Sequence, residues 1–240
     1  MGVFSHFFPI ITLALYILAS GLYFCALFSD WKLLSTKNAT KILSLGFLFH
    51  LLSGAAQLSH DFEMSRGIFA VKGFESRFSS TLFVISCFLI ASFLIFRRRF
   101  QIEKLGVFIS PIAVMFFLSS GILVHFQSNS PITSGRGYLL WFHIWTITLG
   151  HVAFVFAFSV SVALILQEFL IKKRLLFKLQ RQLPALVVLD ELNAKCLSLG
   201  FLLMLFGVLT GVYFSSYSGC LLYTSPSPRD QRGSRMPSSA

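Results

Sequence analysis

The stretch Tyr138–Arg174 reads YLLWFHIWTITLGHVAFVFAFSVSVALILQEFLIKKR, and it decides the fold. It opens with two tryptophans around a histidine, at Trp141, His143 and Trp145, and it closes on three basic residues. A second histidine, His151, is the only ionisable side chain in the first part of the apolar run. An apolar run of about 20 residues crosses a bilayer as a helix. Aromatic residues at one end and basic residues at the other give that helix a direction.

The composition extends this interpretation to the whole chain. Hydrophobic residues make up 55% of the sequence and charged residues only 12%, with 29 phenylalanines. So little charge cannot cover a soluble surface, and the composition predicts a protein that crosses the membrane several times. The net charge of +11 does not indicate nucleic-acid binding, because the basic residues cluster in short connectors between apolar runs. The four cysteines form no CxxC pair and predict neither a disulfide framework nor a zinc site.

Six apolar spans can be delimited from the sequence. They cover residues 7–28, 42–59, 79–96, 105–126, 139–167 and 197–216. Their length and unbroken apolarity exclude the alternation of barrel strands, so each span is predicted to be a helix. The predicted fold is therefore an all-α, polytopic transmembrane helical bundle.

The connectors between the spans are strongly asymmetric in charge. Alternate connectors place thirteen basic residues on one side and four on the other. The richer side carries Lys32, Lys37, Lys41, Arg97, Arg98, Arg99, Lys104, Lys172, Lys173, Arg174, Lys178, Arg181 and Lys195. Because positive charge accumulates on the cytoplasmic side, the N-terminus is predicted to face outside.

Two local patterns near the sixth span carry further predictions. Leu186, Leu189 and Leu192 surround two acidic residues, which predicts an amphipathic helix lying at the membrane interface before span six. Within the span, Gly207 and Gly211 form a GxxxG pattern, which predicts close helix packing.

The last residues differ abruptly from the rest. The stretch 220–240 is polar and aperiodic, and its back-translation resembles a sequencing-library adapter. We therefore predict a membrane domain over 1–219, a non-native and disordered segment over 220–240, and an intact protein that continues beyond span six.

The chemistry of the chain rests on its histidines, because the sequence contains no P-loop, GxSxG or HExxH motif. An ionisable residue within a membrane span indicates function, and neutral imidazole is a common haem ligand. His143 and His125 fall near the outer ends of their spans, and His50 and His151 fall deeper. Aromatic-belt packing remains an alternative for His143, and interhelical hydrogen bonding remains one for His50 and His151.

Four segments together suggest a family. WFHIW…LGHVAFVFAFSVSVALILQE, KKRLLFKLQRQLPALVVLDELNAKCLSLGF and GVLTGVYF follow in order, and the earlier GIFAVKGFESRFSS places Glu75 in an outer loop. In order and spacing they resemble the CcsA/HemX-type cytochrome c assembly family, over most of residues 40–217.

The resemblance implies a protein of the bacterial inner membrane, with about eight spans when intact. It implies haem b as a transiently bound cofactor, with His143 as an axial ligand of the haem iron. His50, Trp141 and Trp145 complete the cofactor-binding residues that it implies, and it assigns no role to His151. Haem, apocytochrome c, a second membrane assembly subunit and the lipid bilayer are the implied partners. A tryptophan-rich external segment and a second external histidine are expected after span six.

The resemblance implies haem presentation at the outer face for attachment to apocytochrome c, at most as one subunit of an attachment complex. HemX-type members are linked to haem biosynthesis instead, so a membrane regulator of that pathway is an alternative. A small-solute transporter is disfavoured, because no inverted repeat or pair of broken helices is visible.

Overall fold

A computed structural model describes most of the membrane-spanning part of the chain. The described residues are 2–28, 35–65, 78–100, 102–124, 138–173 and 183–218. They form six α-helices, which are α1 (Gly2–Phe28), α2 (Thr36–Ser65), α3 (Phe78–Phe100), α4 (Gly106–Val124), α5 (Tyr138–Lys173) and α6 (Leu186–Ser218). A short 3-10 helix, Glu103–Leu105, leads into α4, and these stretches contain no strand. Each of the six helices is long and apolar enough to cross a membrane. The predicted all-α transmembrane fold is confirmed.

Helices α2, α3, α5 and α6 extend beyond their predicted spans at both ends, whereas α4 lies within its predicted span. One prediction is wrong. No separate interfacial helix precedes the sixth span, because the backbone is helical without a break from Leu186 to Ser218. Charged residues in its first turns do not interrupt it, and Glu191 pairs with Lys195 at 2.5 Å, one turn further on. Leu189 and Leu192 are buried in the main core instead of lying at an interface.

The main core forms where α1 to α4 meet α5, and the first turns of α6 contribute Leu189, Leu192 and Cys196 to it. Helix α1 packs between α2 and α4, α3 packs along α4, and α5 contacts α3. Tyr23 is fully buried in this core and donates a hydrogen bond to Thr40 Oγ1 at 2.7 Å, because the Thr40 hydroxyl itself donates to a backbone carbonyl. A Cβ at Gly106 would lie 2.5 Å from the ring carbon Cζ of Tyr23, so only glycine lets α4 begin against this ring.

Helices α5 and α6 form a long antiparallel pair, and α6 makes its extensive contacts with α5 alone among the described helices. In the contacting pairs, the residue numbers increase along α5 while they decrease along α6, as expected for antiparallel helices. The pairs are His143 with Gly211, Ile147 with Gly207, Gly150 with Met204, Phe154 with Gly200, and Ser161 with Asn193. The alternation of four- and three-residue steps is the heptad spacing of coiled-coil seams. Glycine leaves room for the facing side chain at four of these five pairs, which confirms the predicted close packing at Gly207 and Gly211.

Candidate functional site

His143 lies at one end of the α5–α6 seam, in a seat made by two glycines of α6. Its Nδ1 lies 2.7 Å from the carbonyl oxygen of Gly207. A Cβ at Gly211 would lie 2.5 Å from Cε1 and 2.9 Å from Nδ1 of the same ring. The imidazole therefore rests directly on the backbone of α6, and any side chain at residue 211 would displace it.

The hydrogen bond to Gly207 sets the tautomer of the neutral His143 ring. A carbonyl oxygen can only accept, so Nδ1 carries the proton and donates it. In a neutral imidazole the other nitrogen, Nε2, then holds a free lone pair. Histidine ligands of metals have the same arrangement, with one N–H bonded to a carbonyl and the other nitrogen bound to the metal. The donor chemistry of His143 thus fits an axial position on haem iron.

Aromatic side chains surround the same end of α5. Trp145 packs edge-on against Phe88 of α3, with ring centroids 5.9 Å apart. Phe142 is 54% exposed, and His143 itself is half-buried, so the imidazole is not sealed in the core. Trp141 belongs to α5, but its side chain lies outside what the structure describes. Trp145 is thereby held in place by α3, next to a histidine that is held in place by α6.

His50 occupies a different environment, in the middle of α2. Its side chain is fully buried, and Nδ1 lies 3.0 Å from the hydroxyl of Tyr16. The rings of Phe83 and Phe117 enclose it, with centroids 4.3 and 4.8 Å from the imidazole. The predicted alternative of an interhelical hydrogen bond is therefore realised at His50. Nε2 is buried without a hydrogen bond of ordinary geometry, and a porphyrin could reach it only if Phe83 and Phe117 moved.

His151 is the third histidine whose side chain the structure describes, and it is exposed on α5. Its Nδ1 lies 2.8 Å from the carbonyl oxygen of Ile147, one turn earlier on the same helix. The interhelical bond predicted as an alternative is thus absent at Nδ1 of His151. The structure does not bring His151 together with His50, which is enclosed by side chains from α1, α3 and α4.

The side chains of the other three histidines lie outside the part of the chain that the structure describes. His125 falls between α4 and α5, outside the described residues, and the side chains of His6 and His60 are likewise outside them. Within the described ranges, no group of three or more His, Cys, Asp or Glu side chains could hold a metal ion. A single axial histidine on a porphyrin needs no such group, because the macrocycle supplies four of the ligands.

Sequence reasoning proposed His143 as a ligand but did not identify the two residues that position its ring. Gly207 and Gly211 were assigned only to packing, although their carbonyl and their missing side chain set the orientation of the ring. One signal was present: the four-residue step from Gly207 to Gly211 equals the step from His143 to Ile147. Because the two spacings are equal, antiparallel helices can place Gly211 against His143 and Gly207 against Ile147 at the same time. The structure has this arrangement.

A comparison with known families identifies most of this region. Residues 76–218 match the family model described as Cytochrome C assembly protein. The match covers more than half of the chain and includes α3 to α6, and so the whole α5–α6 seam. No curated protein and no solved structure matches the chain.

Proposed function

The chain belongs to the cytochrome c assembly protein family, and from this premise we propose that it binds haem through His143 and presents it for attachment to apocytochrome c. The family supports a role in cytochrome c maturation. The observation that carries the finer proposal is the hydrogen bond from His143 Nδ1 to Gly207 O, at 2.7 Å. It leaves Nε2 as the atom that would bind iron.

The chain's own residues would hold and orient the cofactor, which we take to be haem b. Gly207 fixes the tautomer of His143, and Gly211 leaves space for the ring. Trp145, which packs against Phe88 of α3, would help to hold this end of α5 in position. Haem supplies the vinyl groups that react with the cysteine thiols of apocytochrome c, and the protein supplies position and electrostatics.

We assign the ligand role to His143 in preference to His50. His143 is half-buried at one end of a membrane-spanning helix, and Phe142 beside it is exposed. His50 is fully buried within a box of Phe83, Phe117 and Tyr16 rings, and its Nδ1 is engaged by the Tyr16 hydroxyl. We propose that this pair joins α1 to α2 and stabilises the bundle.

The charges at the two ends of α5 support a proposed sidedness for the site. The end of α5 opposite His143 carries Lys172 and Lys173, which favour the cytoplasmic side of a bacterial inner membrane. His143 would then lie at the outer face, where apocytochrome c is matured. A reporter enzyme that is active only outside the cytoplasm should be active when fused between α4 and α5. It should be inactive when fused between α5 and α6, and the reverse pattern would contradict the proposed orientation.

Cells that depend on this protein for cytochrome c provide the functional test. Replacing His143 by Ala should lower covalently bound haem in cytochrome c by about tenfold or more, since a metal-ligand contact is lost. Phe142→Leu is the matched control, because Phe142 is the exposed neighbour on the same helix. Haem staining of denatured membranes measures the product, and immunoblotting confirms equal protein amounts. Unchanged holocytochrome c in the His143 variant, at equal protein levels, would overturn the proposal.

A further inference from the structure

The carbonyl oxygen of Gly207, which holds the His143 ring, also receives a hydroxyl. His143 Nδ1 donates to this oxygen at 2.7 Å, and Oγ1 of Thr210 lies 2.9 Å from it. Because α6 is helical throughout, the backbone N–H of Gly211 donates to the same oxygen. A carbonyl oxygen has two lone pairs, so three donors compete for two acceptor positions.

Thr210 has a second acceptor within reach, and the His143 ring nitrogen does not. Oγ1 of Thr210 lies 2.8 Å from the carbonyl oxygen of Phe206 as well. Nδ1 of His143 makes its one hydrogen bond among the described residues to Gly207. A hydroxyl carries a single proton, so whatever share of it Thr210 gives to Phe206 leaves Gly207 more available to the imidazole. The Thr210 hydroxyl therefore influences the strength of the bond that fixes His143.

A hydroxyl that bonds to a carbonyl one turn earlier is an ordinary feature of a membrane helix. Thr12 and Thr148 bond in this way to Phe8 and Ile144, at 2.9 and 2.7 Å. The bond from Thr210 to Phe206 has the same local explanation. What distinguishes Thr210 is its other acceptor, because that carbonyl oxygen already holds an imidazole from the facing helix.

The strength of the bond at Nδ1 affects the chemistry available at Nε2. A good acceptor at the N–H of an imidazole makes the opposite nitrogen a stronger donor to a metal. Such hydrogen bonds are one of the means by which a protein sets the reduction potential of haem iron. A stronger donor favours the ferric state. A hydroxyl that takes part of the Gly207 oxygen away from Nδ1 acts in the opposite direction.

We propose that Thr210 is a positioning residue for His143, whose hydroxyl competes with Nδ1–H for the Gly207 oxygen and so lowers the donor strength of Nε2. Its role differs from that of Gly211, which provides space for the ring. The effect on iron rests on the proposed ligand role of His143. The competition for Gly207 does not depend on haem and can be measured in its absence.

Solid-state NMR of the haem-free, full-length protein in lipid tests the competition directly. Histidine is labelled with 15N, and the Nδ1–H resonance of His143 is assigned by its loss in His143→Gly. Thr210→Val keeps the shape of the side chain and removes its hydroxyl. The Nδ1 proton should then move downfield, because its hydrogen bond to Gly207 shortens. Thr210→Ser should restore the original position.

The midpoint potential of the haem-loaded protein tests the consequence for iron. Thr210→Val should raise the ratio of ferric to ferrous haem affinity about two- to fivefold, as expected when a hydrogen bond of ordinary strength is no longer shared. That change is about 20–40 mV toward negative potential, at 59 mV per tenfold. Thr148→Val is the matched control, because Thr148 lies on α5 and its hydroxyl bonds to Ile144 instead of Gly207. Neither the resonance nor the potential should change in this control.

The two measurements separate this inference from the proposed function. An Nδ1 resonance that stays in place in Thr210→Val, or moves equally in Thr148→Val, would overturn the competition and leave the ligand role of His143 intact. A shifted resonance with an unchanged potential would overturn the influence on iron. If the resonance shifted but the haem spectrum did not depend on His143, the proposed function would fail and the influence of Thr210 on iron would fail with it.

Discussion

Replacing Gly211 by Ala should weaken haem binding without preventing folding. The new methyl carbon would lie 2.5 Å from Cε1 and 2.9 Å from Nδ1 of His143. Carbon atoms in contact are separated by about 3.5–4.0 Å, so the ring must retreat by about 1 Å. That movement breaks or strains the 2.7 Å hydrogen bond from Nδ1 to Gly207. The orientation of His143 that can bind iron should become less stable by about 1–2 kcal/mol. The dissociation constant for haem then rises about five- to thirtyfold.

Haem titration of the full-length protein in lipid nanodiscs, followed at the Soret band, measures this effect. Two control variants separate its causes. Gly121→Ala adds a methyl group in open space on α4, since nothing lies within 4 Å of its Cβ position. Gly200→Ala disturbs the same α5–α6 seam but meets the Phe154 ring at 3.1 Å, away from His143. The reasoning is refuted if Gly211→Ala binds haem as tightly as Gly121→Ala, or if Gly200→Ala loses as much affinity.

Two further substitutions probe the packing that supports the site. Gly207→Ala places a methyl group against Ile147, 3.3 Å from its backbone nitrogen and in overlap with its side chain, so the helices must separate. The free energy of unfolding should fall by about 1–3 kcal/mol relative to the α4 glycine control, measured by denaturant titration in detergent; an equal or higher value would contradict the contact. Tyr16→Phe removes the hydroxyl that lies 3.0 Å from Nδ1 of buried His50 and should cost about 1 kcal/mol in the same assay. Tyr213→Phe, at a tyrosine that is 64% exposed, is its control, and equal losses in both would argue against a Tyr16–His50 bond.

The sequence was sufficient to predict the six spans, because burial in lipid demands about 20 apolar residues in a row. It was less informative about where the helices begin. Helix α6 starts at Leu186 instead of 197, because Asp190, Glu191 and Lys195 lower the hydropathy without ending the helix. The Glu191–Lys195 pair at 2.5 Å is an i,i+4 contact that a helix accommodates readily. Because span six was predicted to start at residue 197, the residues before it were wrongly predicted to form a separate interfacial helix.

The sequence singles out His143 as a candidate ligand but does not give the geometry around it. His143 stands out because it lies between two tryptophans at the end of a span. Its contacts with Gly207 and Gly211 depend on the register of α5 against α6, and hydropathy does not specify register. The histidines deeper in the spans show the same limit. Similar sequence surroundings gave a buried His50 and an exposed His151, because burial depends on which neighbours a helix acquires.

The central claim is that Nε2 of His143 binds haem iron, and the most direct measurement is an optical spectrum with and without added imidazole. The full-length protein is purified from membranes as wild type and as His143→Gly, each loaded with haem. The account predicts that the variant loses the ligand-dependent Soret band and that free imidazole restores it, since the small ring can occupy the vacated seat on Gly211. An unchanged spectrum in the variant, with no response to imidazole, would contradict the claim.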